Sequence, residues 1–236
     1  MEPTKTMEKT ALIGTERFEV KFAGQGSSLD TIGTWIRTHR AGFIEPYPPR
    51  IVNSTYFDTY SLGAFEENLV GASSREKVRL RWYGREPASD KSTLEVKLRR
   101  NKLGWKLSYP VHGVPHRSQS WRNFQKSVRG QLPPDARIRF DAHPMVSLVN
   151  RYHRRYFLSG DGLIRVTVDT DLKAFDQRFG RVPRMEQSID LPDMLVVEFK
   201  FSPDDRTNAM DLMKGIPLRV SRSSKYSIAC SNITAT

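Results

Sequence analysis

Residues 76–111 read EKVRLRWYGREPASDKSTLEVKLRRNKLGWKLSYPV. Three alternating runs lie within them: Glu76 to Tyr83, Ser92 to Arg99 and Trp105 to Val111. Side chains on a strand alternate faces, so residues two apart share a face. Lys77, Arg79 and Arg81 therefore oppose Val78, Leu80 and Trp82, while Glu95, Lys97 and Arg99 oppose Leu94, Val96 and Leu98. The gaps, Gly84 to Asp90 and Asn101 to Gly104, are shorter than the dozen or so residues a parallel crossover needs. The three runs are thus expected to be antiparallel neighbours, with one charged and one apolar face.

The pattern continues outward in both directions. Arg17 to Phe22 (RFEVKF) puts Arg17, Glu19 and Lys21 opposite Phe18, Val20 and Phe22. Ile51 to Asp58 reads as a further strand. Val146 to Leu158 and Leu163 to Leu172 flank Ser159-Gly160-Asp161-Gly162, whose Asp-Gly is a turn signal. In the second of these runs Arg165, Thr167, Asp169 and Asp171 share a face, and in LVVEFKF (195–201) Glu198 and Lys200 do. Helical spacing of Leu29, Ile32, Trp35 and Ile36 after Ser27-Ser28 predicts a helix to about Arg40. Shorter helices are expected over Ser61–Val70, Trp121–Val128 and Asp204–Met213, with a short final element at Lys225–Ala229. These elements predict one α+β domain, mostly β, over residues 1–236, with a loose lead-in at 1–14.

A single wet sheet face usually mixes Ser, Thr, Gln, Glu and Lys. Here Arg and Lys recur on five strands with few carboxylates among them. If the sheet closes, these faces line a basic tunnel whose cations repel one another until an anion lies between them. The whole chain agrees: 38 Lys and Arg face 26 Asp and Glu, for a formal net charge of +12, which calls for an anionic partner. Single-stranded nucleic acid would want aromatic rings on the basic face. Phe18, Phe22, Trp82, Phe199 and Phe201 fall on the opposite face, so no nucleic-acid partner is expected. Phosphoryl transfer fits better. It is mostly positioning and charge neutralisation by Arg, Lys and a divalent metal that one or two carboxylates hold.

The one cysteine, Cys230, excludes an intrachain disulfide and fits a reducing compartment. No apolar run approaches the ~18–20 residues that span a bilayer, and Met1 to Thr10 lacks the apolar core of a signal peptide. A cytoplasmic location is expected, with any membrane attachment made through a partner protein not encoded in this chain. His39, His112, His116, His143 and His153 show no metal-ligand spacing. Oligomeric state is not legible.

The segments RFEVKF (17–22), STYFDT (54–59), KVRLRWYG (77–84), LEVKLRRNKLGWKLSYPV (94–111), RYHRRYF (151–157), IRVTVDTDL (164–172), VVEFKF (196–201) and SKYSIA (224–229) together resemble the VTC domain, named for the vacuolar transporter chaperone, in the triphosphate tunnel metalloenzyme superfamily. The resemblance implies an eight-stranded antiparallel β-barrel forming a tunnel. It implies a polyphosphate polymerase that transfers the γ-phosphate of ATP to a growing polyphosphate chain, with Mn²⁺ or Mg²⁺ as cofactor. Carried over motif by motif, Lys21, Arg79, Arg81, Lys97, Lys106, Arg154, Arg165 and Lys225 contact phosphates. Tyr152 and Ser224 assist by hydrogen bonding, and Lys200 is a further phosphate contact. Glu198 is the principal metal ligand and Glu19 the second. The hydrolytic branch of the superfamily resembles E-x-E-x-K at the first strand. Here that stretch is Arg17-x-Glu19-x-Lys21, which favours synthesis over hydrolysis. A tripolyphosphate or nucleoside triphosphatase, and a non-catalytic module binding polyphosphate or inositol phosphate, remain the alternatives.

Overall fold

The alternating runs become strands in the computed structural model, which describes residues 12–13, 17–85, 90–101, 103–221 and 224–234. The chain order is β1 (Leu12–Ile13), β2 (Phe18–Gln25), α1 (Leu29–Thr38), β3 (Arg50–Asp58), α2 (Gly63–Leu69), β4 (Ser74–Tyr83), β5 (Lys91–Arg100), β6 (Leu103–His112), α3 (Trp121–Gly130), α4 (Pro134–Asp141), β7 (Met145–Leu158), β8 (Arg165–Asp176), β9 (Met194–Phe201), α5 (Arg206–Leu212), β10 (Arg219–Val220) and α6 (Lys225–Thr234). The expected lead-in, 1–14, lies outside the described residues except for β1, which pairs with Ser108 and Leu107 of β6.

All pairings are antiparallel, in the order β1-β6-β5-β4-β3-β7-β8-β9-β2-β10. Eight long strands form the body, and the two-residue strands β1 and β10 sit at the edges. Among the described residues these edges do not hydrogen-bond to each other, so the ladder stays open where a closed barrel was expected. Side chains bring its two ends together instead. Five strands separate β2 from β5 in the sheet order, yet Glu19 of β2 lies 3.7 Å from Lys97 of β5. Only a strongly curled sheet allows this, with its charged face inward.

The apolar face is covered from outside by two cores. Val78, Leu80, Trp82, Leu94 and Val96 pack with Trp121, Phe124 and Val128 of α3 and with Ala136 and Phe140 of α4. Ile164, Val166, Leu195, Val197 and Phe199 pack with Ile32 and Ile36 of α1 and with Ala209 and Leu212 of α5. Burying bulky residues this way, at roughly 25 cal/mol per Å² of apolar surface, fixes the register and commits the alternate residues to the inside.

The third core is different, because it fills the inner face at one end. Tyr56, Leu148 and Ala174 pack there against Phe65 of α2 and Tyr226, Ala229, Cys230 and Ile233 of α6. Asp58 anchors this plug. Its buried carboxylate accepts from the backbone N–H of Thr59, Ala64 and Phe65, at 2.7, 2.8 and 3.1 Å, and from the Tyr226 hydroxyl.

Simple alternation is broken between β7 and β8, as it is where β7 shifts against β3 at Tyr56 and Phe57. The β7–β8 register shifts between Arg151 and His153, and Asp171 adopts a positive φ of 51°. This bulge turns Asp171 away from the face it was expected to share with Asp169. It contacts His153 and Lys173 instead, while Asp169 stays buried inside.

Candidate phosphate-binding tunnel

Two walls carry most of the inner charge. On the first, β4, β5 and β6 lay Arg79, Arg81 and Lys106 around one carboxylate, Glu95. Arg79 Nε donates to Glu95 at 2.7 Å, Lys106 Nζ at 3.0 Å, and Arg81 Nη1 lies at 3.6 Å. Arg79 also donates to the Tyr56 hydroxyl at 3.2 Å. Burial alone would raise the Glu95 carboxyl, but Arg79, Arg81 and Lys106 outweigh it and hold it far below the usual carboxylate range.

On the second wall, antiparallel pairing sets Lys21 beside Glu198 and Glu19 beside Lys200. Lys21 Nζ lies 2.5 Å from Glu19 and 3.7 Å from Glu198, and Lys200 Nζ lies 2.5 Å from Glu198 and 3.8 Å from Glu19. The same two ammonium groups thus touch both carboxylates. Burial favours the neutral Glu198 acid, yet Lys200, Lys21 and Arg154 together keep it ionised far into the acid range. Burial and Glu198 push the Glu19 carboxyl up, but Lys97, Lys21 and Lys200 leave it below its ordinary value.

Between the walls Arg154 grips buried Asp169 through two bonds of 2.6 and 2.7 Å. Lys225, the first residue of α6, reaches the same carboxylate at 2.6 Å. Tyr152 is buried beside both, its ring centroid 5.3 Å from the Arg154 guanidinium and 4.9 Å from the Lys225 ammonium. Ser224 accepts from Lys77 Nζ at 3.0 Å. Lys77 makes no ion pair among the described residues. Its burial, and then Lys97, Lys21, Arg75 and Arg79, bring its ammonium down to about 7 from 10.5.

Of the residues expected from sequence, Lys21, Arg79, Arg81, Lys97, Lys106, Arg154, Lys200, Lys225, Tyr152, Ser224, Glu19 and Glu198 are joined by this network. Arg165 is the outlier. It is exposed at the start of β8, level with Lys200 on β9, and forms no ion pair among the described residues. With Lys77 and Arg165, ten of the inner-face cations among the described residues accompany four inner carboxylates, Glu19, Glu95, Asp169 and Glu198. Polar atoms also point inward without a partner among the described residues: Ser54 Oγ, Asn150 Oδ1 and Nδ2, Thr167 Oγ1 and Arg81 Nε. Such groups are ordinarily hydrogen-bonded when buried, and all of them but Asn150 Oδ1 can donate to the oxygens of an anion.

A family model described as the VTC domain matches residues 16–233. The chain belongs to the VTC domain family. No curated protein matches it. Two solved structures resemble the VTC domain described here, each at 14% identity over 91% of its chain. One is a Hippeastrum protein described as a candidate adenylyl cyclase with a dominant triphosphatase activity, covered over 96% of its length with a TM-score of 0.48. The other is a protein from Pyrococcus horikoshii, covered over 99% with a TM-score of 0.47.

The family motifs did not assign roles to Lys77, Glu95, Tyr56 or Asp58. The signal for two of them was present: alternation in KVRLR and LEVKLR places Lys77 and Glu95 on the inner face with Arg79 and Lys97. Tyr56 and Asp58 carried no such signal, because their importance depends on α2 and α6 packing across the tunnel end.

Proposed function

We propose that the tunnel extends polyphosphate, transferring the γ-phosphate of ATP to the terminal phosphate of a chain already bound there. The observation that carries this is the surplus of cations: each inner carboxylate is shared by two or more of them, so the interior stays strongly positive after all its internal pairs form. A polyanion neutralises that surplus. In the transfer, a terminal phosphate oxygen of the chain bonds to the γ-phosphorus as the bond to the β–γ bridging oxygen breaks. The electron pair leaves on ADP and no water enters. Arg79, Arg81 and Arg154 supply planar forks for phosphate oxygens, and Lys21, Lys97, Lys106 and Lys225 supply point charges. Tyr152 and Ser224 add hydrogen bonds, and Arg165 and Lys200 meet the chain at the ends of β8 and β9.

A divalent metal, Mn²⁺ or Mg²⁺, suits Glu198 and Glu19. Among the described residues no three His, Cys, Asp or Glu side chains form a metal cage. Two carboxylates that share the same two ammonium groups nevertheless suit an ion that takes its other ligands from phosphates and water. When bound, it would neutralise charge on the transferring phosphoryl group. Arg17 precedes β2 and is exposed, so it adds no carboxylate to this pair, which supports transfer over hydrolysis. Among the described residues no helix is long and apolar enough to cross a membrane. A cytoplasmic protein that meets any membrane through a partner fits the reading.

The test is incubation of the protein with ATP and Mn²⁺, followed by gel detection of polyphosphate. Chains that grow with wild type and vanish in Glu198→Ala and Arg79→Ala bear the proposal out. Release of inorganic phosphate alone replaces it with triphosphatase activity. Binding of polyphosphate without any consumption of ATP replaces it with a sensor.

A further inference from the structure

Arg50 opens β3 and Tyr83 closes β4, so both lie at the end of the tunnel away from the plug of Tyr226 and α6. Both belong to the inner face, since Val52 pairs with Tyr83 and Arg50 pairs with Arg154. Tyr156 stands two residues beyond Arg154 on the same face of β7. Tyr47 reaches over from the preceding loop, held between Pro46 and Pro48-Pro49. The Arg50 guanidinium lies 5.6 Å from the Tyr47 ring centroid and 5.9 Å from those of Tyr83 and Tyr156, and Tyr47 meets Tyr156 edge-on at 6.0 Å. Arg50 makes no ion pair among the described residues, and Tyr47 and Tyr83 are 55% and 47% exposed. Three rings and a planar cation are therefore presented to solvent at the open mouth.

We infer that this ledge binds the base of a nucleoside triphosphate whose phosphates lie in the tunnel. The inference rests on the phosphotransfer reading only for which nucleotide enters. From Arg79 to Tyr83 the strand rises about 13 Å, the length scale of an extended nucleoside triphosphate. A phosphate seated at Arg79 thus brings its base to Tyr83, which with Tyr156 flanks Arg50. Rings and a guanidinium offer π faces that a base stacks on, and a bare phosphate chain gains nothing from them. Prolines on both sides of Tyr47 hold its backbone before the ligand arrives. The ledge gives the site a means of telling the donor from the polyphosphate acceptor, which carries the same phosphates and no base.

The test is calorimetric binding of ATP and of tripolyphosphate to the full chain, wild type against Tyr83→Ala/Tyr156→Ala and against Tyr47→Ala alone. The expected result is a loss of roughly tenfold in ATP affinity, with tripolyphosphate binding kept within about twofold as proof of an intact tunnel. Equal losses on both ligands in Tyr47→Ala, or no loss of ATP affinity in either variant, overturn the ledge. If the double variant fails to bind tripolyphosphate, Tyr47→Ala decides alone. Wild type that binds both ligands but makes no polyphosphate removes the phosphotransfer reading and leaves the ledge to be judged on these affinities. Wild type that binds neither removes both.

Discussion

The wall built on Glu95 and the wall built on Glu19 and Glu198 carry similar charges in different arrangements. Glu95 is a lone carboxylate held at hydrogen-bond distance by an arginine and a lysine, with a second arginine beyond. Its removal would leave three cations facing one another. Glu19 and Glu198 form a pair bridged by two lysines, each close to one carboxylate and loosely set against the other. A flexible ammonium can withdraw from such a pair and leave it to another cation. The first arrangement positions arginines. The second, under the metal reading proposed above, is suited to exchanging one positive charge for another.

The largest expected effect tests the first wall. Glu95→Gln should destabilise the fold by about 3–5 kcal/mol, the usual cost of removing one partner from a buried ion pair. Added tripolyphosphate should raise the melting temperature of this variant more than that of wild type, because it supplies the missing negative charge. Equal shifts in a thermal melt would show that Glu95 does not hold these cations for an anion.

The second wall should behave differently. Glu198→Gln should lower ADP release with Mn²⁺ by about 10²–10³-fold, the range for losing one electrostatic contact to a transition state. Metal-free tripolyphosphate binding should stay within a few-fold, and chelation of the metal should bring wild type down to the variant. A loss of metal-free binding as large as the loss of turnover would erase the contrast between the walls.

A smaller effect is expected at the plug. Asp58→Asn weakens the cap of α2 and the anchor of Tyr226, and should cost about 1–2 kcal/mol in denaturant unfolding. It should also weaken tripolyphosphate binding, because Lys225 and Ser224 are placed by α6. Unchanged binding would show that the plug is independent of the site.

The smallest signal is a proton. Lys77 sits between the walls with an ammonium brought down to about 7, so the empty tunnel holds it largely neutral at pH 8. The unfolded chain keeps that proton up to about 10.5. Between 7 and 10.5 the unfolded state therefore binds more protons, and this group makes stability rise with pH across that window and stay level below it. Lys77→Met should flatten that slope. Polyphosphate binding at pH 8 should take up as much as about one proton through Lys77, read by calorimetry in buffers of different ionisation heat. Identical uptake in Lys77→Met would assign the proton elsewhere.

Much of this was legible in the sequence because one physical signal, alternation, governs both the fold and the inner face. EKVRLRWY, STLEVKLR and LVVEFKF place their cations correctly without further information. The failures share a cause: each depends on something across the chain. The helix α4, which starts at Pro134, is not among the helices expected from sequence, and it is held where Ala136 and Phe140 meet the outer face of the sheet. Alternation sends Asp171 inward until the β7–β8 bulge reverses it. Closure of the tunnel by ion pairs, with the backbone ladder left open, follows from sheet curl that no local pattern encodes.

The pairing of β2 with β9, which joins Phe18 to Phe201, has a consequence for how the chain folds. The hairpins β4–β5 and β5–β6 need only neighbouring residues and can form early, whereas β2 and β9 must find each other across nearly the whole sequence, a slow kind of contact. Until they do, the early meander carries its arginines and lysines with Glu95 as their one buried counter-charge, and Glu19 and Glu198 are still elsewhere. During that interval an anion in solution would act on the rate of folding as well as on the finished protein, easing the approach of strands that would otherwise repel.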